Sequence, residues 1–291
     1  MDNLRGAALM VLAMLGFAIE DMMIKVISST LPIGQIIGLL GIGGALVFGT
    51  ICKLQGRRLL DPQLATRAIA IRNLSELVGT LGFVTAIALT PISTASAILQ
   101  ATPLIVTFGA AMFFRETVGW RRWTAIGVGF FGVLLIIRPG TEGFNQLSII
   151  ALIGVFGLAM RDLATRSVPK ETSSMQLSFM AFLTLIPAAL ILTWVFETPW
   201  LVPTPKILGM LIASICVAVL AYYAIVAAMR VGEISFVTPF RYTRLVFALF
   251  FGILIFGERP DLLTLIGSAI IVTSGIYTVW RERRLRMIAQ T

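Results

Sequence analysis

The residues able to do chemistry in this chain are ionisable groups set inside long apolar runs. Glu20 and Asp21 interrupt one run, Arg72 and Glu76 a second, Arg161 and Asp162 a third, and Arg241 with Arg244 a fourth. A charge in such surroundings is costly unless it is paired or faces water, and it commonly marks a route for protons or solutes. Arg241 and Arg244 are three residues apart and share a helix face. Two guanidinium forks there offer flat donor arrays for carboxylate, phosphate or ring carbonyl groups. Pro239, just before them, removes a backbone donor and favours a helix break of the kind that exposes backbone groups to a solute. Tyr242 lies between the arginines, and Gln100 stands 142 positions before it, with Thr102 and Pro103 close behind. The candidate solute-binding set is therefore Arg241, Arg244, Tyr242, Glu20 and Gln100. Asp21, Asp162, Arg161, Arg72 and Glu76 form a candidate coupling or gating set.

Structural roles compete with these readings. Asp21 with Lys25 and Asp162 with Arg166 have the i, i+4 spacing of a local ion pair. Arg72 and Glu76 share that spacing near a span start, where they are either a gate or long side chains reaching back to the interface. Arg241 and Arg244 are equally able to bridge Glu20, Glu76 or Asp162 between helices. Glu20 has no basic residue three or four positions away, which makes it the acid most open to a solute or a proton. Glu116 and Glu258, beside Arg115 and Arg259 at span ends, read as interface anchors or helix-start caps.

The chain contains no histidine, so the commonest metal ligand and the commonest neutral-pH base are both missing. Its two cysteines, Cys52 and Cys216, stand alone in or beside apolar runs and read as small packing residues. Neither a metal site nor a cofactor is expected. A membrane enzyme would need acids clustered with histidine or a metal, and the acids here are thinly spread. A scaffold or sensor would need loops or tails for partners, and the connections are short.

The elements that must hold these residues are membrane helices. The chain has 291 residues, is 58% hydrophobic and only 13% charged, and has a mean hydropathy of +0.95. A soluble domain carries roughly 25% charged residues. With about 20 residues per crossing, the breakers Leu31-Pro32, Thr90-Pro91, Pro139-Gly140, Pro203 with Pro205 and Arg259-Pro260 divide the chain into ten spans. The first five run over 6–27, 32–53, 67–89, 92–114 and 119–137. The second five run over 148–167, 174–196, 207–229, 233–256 and 261–280. Glu20 and Asp21 stand where a leader peptide would be cut, so the first run is read as a span.

The second half repeats the first. Gly16 to Asp21 and Lys25 recur 141 positions later as Gly157 to Asp162 and Arg166, and Gln35 recurs as Gln176. Only Glu20 against Arg161 changes sign. The halves, 1–140 and 141–291, each hold an odd number of spans, so they lie in opposite senses: the fold class is an all-α polytopic membrane protein built as a 5+5 inverted repeat. Arg5, Lys53, Arg57, Arg58, Arg67, Arg115, Arg121, Arg122, Arg166, Lys170, Arg230 and the cluster Arg281, Arg283, Arg284 and Arg286 fall on one side; only Arg138, Lys206 and Arg259 fall on the other. The positive-inside bias then puts both termini in the cytoplasm. The basic charge is thus a topology signal, and no nucleic-acid partner is expected.

Phe113-Phe114-Arg115-Glu116-Thr117, leading to Gly127, Gly129 and Gly132, has a counterpart in Ile255-Phe256-Gly257-Glu258-Arg259-Pro260, leading to Gly267 and Gly275. Ser93 and Ser235 keep the same spacing. In these paired motifs and in its ten spans the chain resembles the EamA-type drug/metabolite transporters. The resemblance implies spans one to four and six to nine around a central cavity, spans five and ten outside, and alternating access without ATP in the bacterial inner membrane. It also implies a small polar substrate, with riboflavin-like uptake as the leading specific expectation and S-adenosylmethionine uptake or amino-acid or metabolite export as alternatives. The lipid bilayer is the other partner, and a homodimer is one option for assembly. Pro103 and Pro239 do not align between the halves, which argues against a strictly symmetric site.

Overall fold

The computed structural model describes residues 2–59, 64–113, 119–138, 147–169, 171–231 and 237–288. Its elements are α1 (Asp2–Ile27), α2 (Ile33–Leu54), α3 (Arg67–Leu89), α4 (Ile92–Leu99), α5 (Thr102–Phe113), α6 (Trp120–Ile137), α7 (Leu147–Arg166), α8 (Ser174–Val195) and α9 (Pro205–Val231). A 3-10 turn (Thr238–Tyr242), α10 (Thr243–Phe256) and α11 (Leu262–Ile288) follow. No strand occurs among the described residues. The fourth span is α4 with α5 and the ninth is the 3-10 turn with α10, so the expected ten crossings are met. Among the described residues, six spans are long and apolar enough to cross a membrane by length and composition alone. The others fall short for visible reasons: α3 carries Arg72 and Glu76, the apolar parts of α6 and α11 are shorter, and the ninth span starts irregularly. Ten crossings return the chain to the face at which α1 begins, here the terminal face.

Both broken spans follow from proline. A continuous helix would offer the Leu99 carbonyl to residue 103, but Pro103 has no N–H to give. That carbonyl instead accepts from Thr102 Oγ1 at 2.6 Å, and α4 ends there. In the ninth span Pro239 sits at the start of the 3-10 turn.

Helix pairing carries the repeat into space. α1 packs along α9, α3 along α7, α2 along α8, α6 along α11, and α10 against α4. Exchanging each span of one half for its counterpart maps these pairings onto themselves. The expected peripheral pair of spans five and ten is the α6·α11 pair. Glycine makes the closest approaches: a Cβ on Gly154 of α7 would lie 2.3 Å from the Phe83 amide nitrogen of α3, and one on Gly157 would lie 2.5 Å from Gly79 nitrogen. Small residues of this kind let backbones meet where lipid supplies no hydrophobic drive.

The repeated glutamines are stitches with the same pseudo-symmetry. Gln35, opening α2, exchanges hydrogen bonds with the Leu201 peptide after α8, at 2.6 and 2.9 Å. Gln176, opening α8, donates to the Arg58 carbonyl after α2 at 2.8 Å and accepts from Ser173 nitrogen at 3.0 Å. Glu258 does cap a helix start, though not its own: it accepts from Ile92 nitrogen (2.7 Å), Ser93 nitrogen (3.1 Å) and Ser93 Oγ (2.6 Å) at the head of α4. Its repeat partner Glu116 lies outside the described residues. At the same face Asp261 caps α11 through Thr264 nitrogen at 2.8 Å and pairs with Arg138. The Arg138 hydrogen bond, ahead of the cap, holds the Asp261 carboxyl down to about 2. Any stability it contributes is present above the ordinary carboxylate range and fades as pH falls through about 2.

Overpacking the α3–α7 contact should be costly, on the order of 1–3 kcal/mol or more. Gly154→Val is expected to lower the thermal midpoint of the purified carrier or abolish a monodisperse product. Gly127→Val, whose Cβ meets nothing within 4 Å, is the control and should leave the midpoint unchanged. Equal midpoints for both variants would refute the packing role.

Candidate functional site

A cavity of about 480 Å³ lies between the two halves. At one end its lining reaches Thr165 at the end of α7 and Ser174 at the start of α8, both toward the terminal face. Its far end is apolar, at Ile24, Ile37 and Val84. Phe17, Phe83, Phe182 and Tyr222 supply aromatic wall. The Phe182 and Tyr222 rings meet edge-to-face, with centroids 6.1 Å apart, and anchor on Phe48. None of these aromatics stood out in the sequence, because Phe in an apolar run has no distinguishing mark; only the placement of Phe17 one turn before Glu20 and Asp21 was a usable hint.

Ions dominate the polar lining, and five of them form an alternating chain. Arg72 faces Glu76 at 3.7 Å, and Glu76 accepts from Arg161 Nη1 at 3.1 Å. Arg161 donates from Nε (2.9 Å) and Nη2 (2.8 Å) to Asp162, whose other oxygen is 3.8 Å from Arg241. Arg72 and Glu76 are 3% and 7% exposed, so they are buried members of this chain and do not snorkel to an interface. Arg161, the residue that replaces Glu20 in the repeat, is the central link.

Deeper in the cavity Arg244 donates from Nε (3.0 Å) and Nη2 (2.6 Å) to Asp21. Its guanidinium lies 5.2 Å from the Phe17 ring centroid and 5.4 Å from that of Phe83, so two aromatic faces hold it as well. The local pair expected between Asp21 and Lys25 is not made. Lys25, in the last turn of α1, donates instead to the Thr90 carbonyl and, at 3.3 Å, to the Ile87 carbonyl at the end of α3. Helix ends leave such carbonyls without partners, and a lysine at hand satisfies them. Asp162 likewise takes Arg161 and Arg241; the Arg166 side chain lies outside the description.

Glu20 lines the cavity with no hydrogen bond or ion pair among the described residues. Gln100 also lines it, at the α4–α5 break; its side chain is buried and its Nε2 has no hydrogen-bond partner among the described residues. Tyr242 departs from expectation. It is 3% exposed and does not line the cavity. Its hydroxyl is wedged against Gly275 of α11, where a Cβ would lie 1.6 Å from the oxygen. A 3-10 turn rotates each residue by about a third of a circle, so Arg241 and Tyr242 cannot face the same way. Among the described residues no group of three or more acids, histidines or cysteines could hold a metal.

A duplicated helical membrane bundle with an ion-lined cavity between its halves is the architecture of a solute carrier. The sequence profile of the EamA-like transporter family matches twice, over residues 4–138 and 147–280, and the chain belongs to that family. It is 28% identical over 218 residues to the S-adenosylmethionine uptake transporter of Rickettsia bellii, covering 74% of this chain and 72% of that one. It is 31% identical over 198 residues to the riboflavin transporter of Vibrio cholerae, covering 67% and 65%. The pseudopaline exporter CntI of Pseudomonas aeruginosa is 26% identical over 280 residues, covering 93% and 94%.

Removing one member of a buried ionic chain leaves its partners uncompensated, which costs about 3–5 kcal/mol. Glu76→Gln combined with Asp162→Asn strands Arg72, Arg161 and Arg241 and should therefore lower the thermal midpoint far more than Arg161→Ala, which leaves the Arg72–Glu76 and Asp162–Arg241 pairs in place. Equal losses in the two variants would show that the chain is not a stabilising unit.

Proposed function

We propose that this carrier takes up a small, ring-bearing polar metabolite across the bacterial inner membrane by alternating access, with both termini in the cytoplasm. The side-to-side cation bias supports the orientation, and with it the end of the cavity lined by Thr165 and Ser174 lies toward the cytoplasm. The halves, 1–140 and 141–291, rock about the cavity as one integrated domain. The observation that carries the substrate reading is the join of aromatic wall with unspent donors: Phe17, Phe83, Phe182 and Tyr222 can flank a flat ring. Gln100 Nε2 and the loosely held Arg241 can donate to its carbonyls.

Riboflavin fits that description and is the first substrate to assay; the Vibrio cholerae relative bears its name. S-adenosylmethionine is the second reading, favoured by Glu20, an acid that lines the cavity and makes no hydrogen bond or ion pair among the described residues. Arg241 and Gln100 serve as solute contacts in either case, whereas Arg244, clamped by Asp21 and two rings, positions the wall. Asp21, Asp162, Arg161, Arg72 and Glu76 act as the coupling and gating set.

Uptake of labelled riboflavin and labelled S-adenosylmethionine into bacteria lacking their own importers tests this directly. Saturable uptake of one, blocked by its own unlabelled form, is the expected result. Arg241→Ala should reduce that uptake about tenfold or more, the worth of a charged hydrogen bond, at unchanged membrane levels. Efflux without uptake would reverse the direction, and full uptake by Arg241→Ala would remove that residue from the solute contacts.

A further inference from the structure

Lys25 takes no part in the ionic lining of the cavity, yet it follows cavity-lining Ile24 and stands one helical turn beyond Asp21, in the last turn of α1. Its ammonium reaches away from its own helix. It donates to the Thr90 carbonyl and, at 3.3 Å, to the Ile87 carbonyl at the end of α3. It also lies 5.5 Å from the centre of the Phe256 ring, at the last residue of α10, and Glu258 acts on its charge. The last carbonyls of a helix lack partners of their own and form the negative end of its dipole, so hydrogen bonds and charge hold a cation there together. The aromatic face adds to that hold.

The helices that these contacts join give them their meaning. α1 packs along α9 and α3 along α7, whereas α1 and α3 touch only lightly. The cavity lies between the two pairs, and toward the terminal face its lining reaches Thr165, which is exposed. At the opposite end the pairs come together. Ile27 of α1, Ile87 of α3, Val155 of α7 and Leu211 of α9 belong to one buried apolar cluster there. Lys25 crosses from one pair to the other at the same end.

We infer that Lys25 latches the gate on the face opposite the termini: the cavity is shut there in this conformation, and it opens to that face only when the ammonium leaves the α3 carbonyls. This rests on the carrier reading above and adds to it the face that is closed and the residue that keeps it closed. Burial in the apolar cluster resists separation by degrees. A cation seated on two carbonyls is a contact either made or broken, and water takes over both partners once the helices part. Such a contact gives the closed end a discrete release.

The test is the face from which the far end of the cavity can be reached. Val84 lines that end from α3. Val84→Cys, placed in a chain that also carries Cys52→Ala and Cys216→Ala, puts a single thiol there. A membrane-impermeant maleimide is applied to sealed vesicles of either orientation, and its rate of reaction is read at each face. With Lys25 intact the thiol should react from the terminal face and hardly at all from the opposite one. Lys25→Met, similar in length but without donors, should raise the opposite-face rate about tenfold, the worth of a charged hydrogen bond. The terminal-face rate should stay level or fall as the population shifts. Lys25→Arg, which keeps the charge and the donors, should stay near the unmutated pattern. Phe256→Leu should act like Lys25→Met by a smaller factor, and it carries the test where Lys25→Met does not reach the membrane. General loosening of the bundle would raise both rates together. A rise at both faces, an opposite-face rate that neither variant changes, or equal rates from the two faces with Lys25 intact would each overturn the latch. Flux of riboflavin and S-adenosylmethionine across the same vesicles reads the carrier function separately: a shift in labelling without flux would strike that function and leave the latch standing.

Discussion

Charge compensation in a low-dielectric interior is the constraint from which the rest of this structure follows. A lone guanidinium is costly at membrane depth, so Arg161, Arg241 and Arg244 each fix a helix that supplies a partner, while Arg72 pairs within its own helix. Arg161 joins α7 to α3 through Glu76, and Arg244 joins α10 to α1 through Asp21. Arg241 closes the set by reaching Asp162 from the ninth span. The glycine-lined contact between α3 and α7 is what brings Glu76 and Arg161 within hydrogen-bonding distance at all. Packing and electrostatics therefore support one another: close backbones permit the ionic chain, and the ionic chain penalises their separation.

The aspartates show how an inverted repeat makes related but unequal ends. Asp21 and Asp162 occupy equivalent positions, and each holds an arginine of the ninth span. One grip is short and two-pronged, the other long and shared. The inequality comes from the single sign change between the halves. Where the second half has Arg161 to occupy Asp162, the first half has Glu20, which cannot occupy Asp21. Asp21 is consequently free to take Arg244 completely, and Glu20 is left over.

Most of the scaffold was legible in the sequence. Span boundaries follow from proline and glycine punctuation, and the breaks near Pro103 and Pro239 follow from the donor that proline lacks. The polar residues of the cavity were legible as well, since an ionisable group in an apolar run announces itself. Their partners were not. Spacing of i, i+4 favoured Asp21 with Lys25, but a side chain near a helix end also has the bare carbonyls of a neighbouring helix within reach, and Lys25 takes those. Tyr242 was misplaced for a related reason: successive residues of any helix point about a third of a turn apart, so adjacency to Arg241 says nothing about facing the cavity. The aromatic wall escaped notice because a phenylalanine facing a cavity and one facing lipid look alike in one dimension.

Glu258 has a mechanical meaning beyond its hydrogen bonds. A single carboxylate at the far end of α10 closes three donors at the head of α4, so these two spans are pinned together at one face. Each is also interrupted along its length, α4 from α5 by proline and α10 from the chain before it by the 3-10 turn. The fourth and ninth spans form a strut with a fixed hinge-pin at one end and articulated joints further along. A strut of that kind transmits rotation while its pinned end stays put, which concentrates bending at the two joints: the one beside Gln100 and the one that carries Arg241.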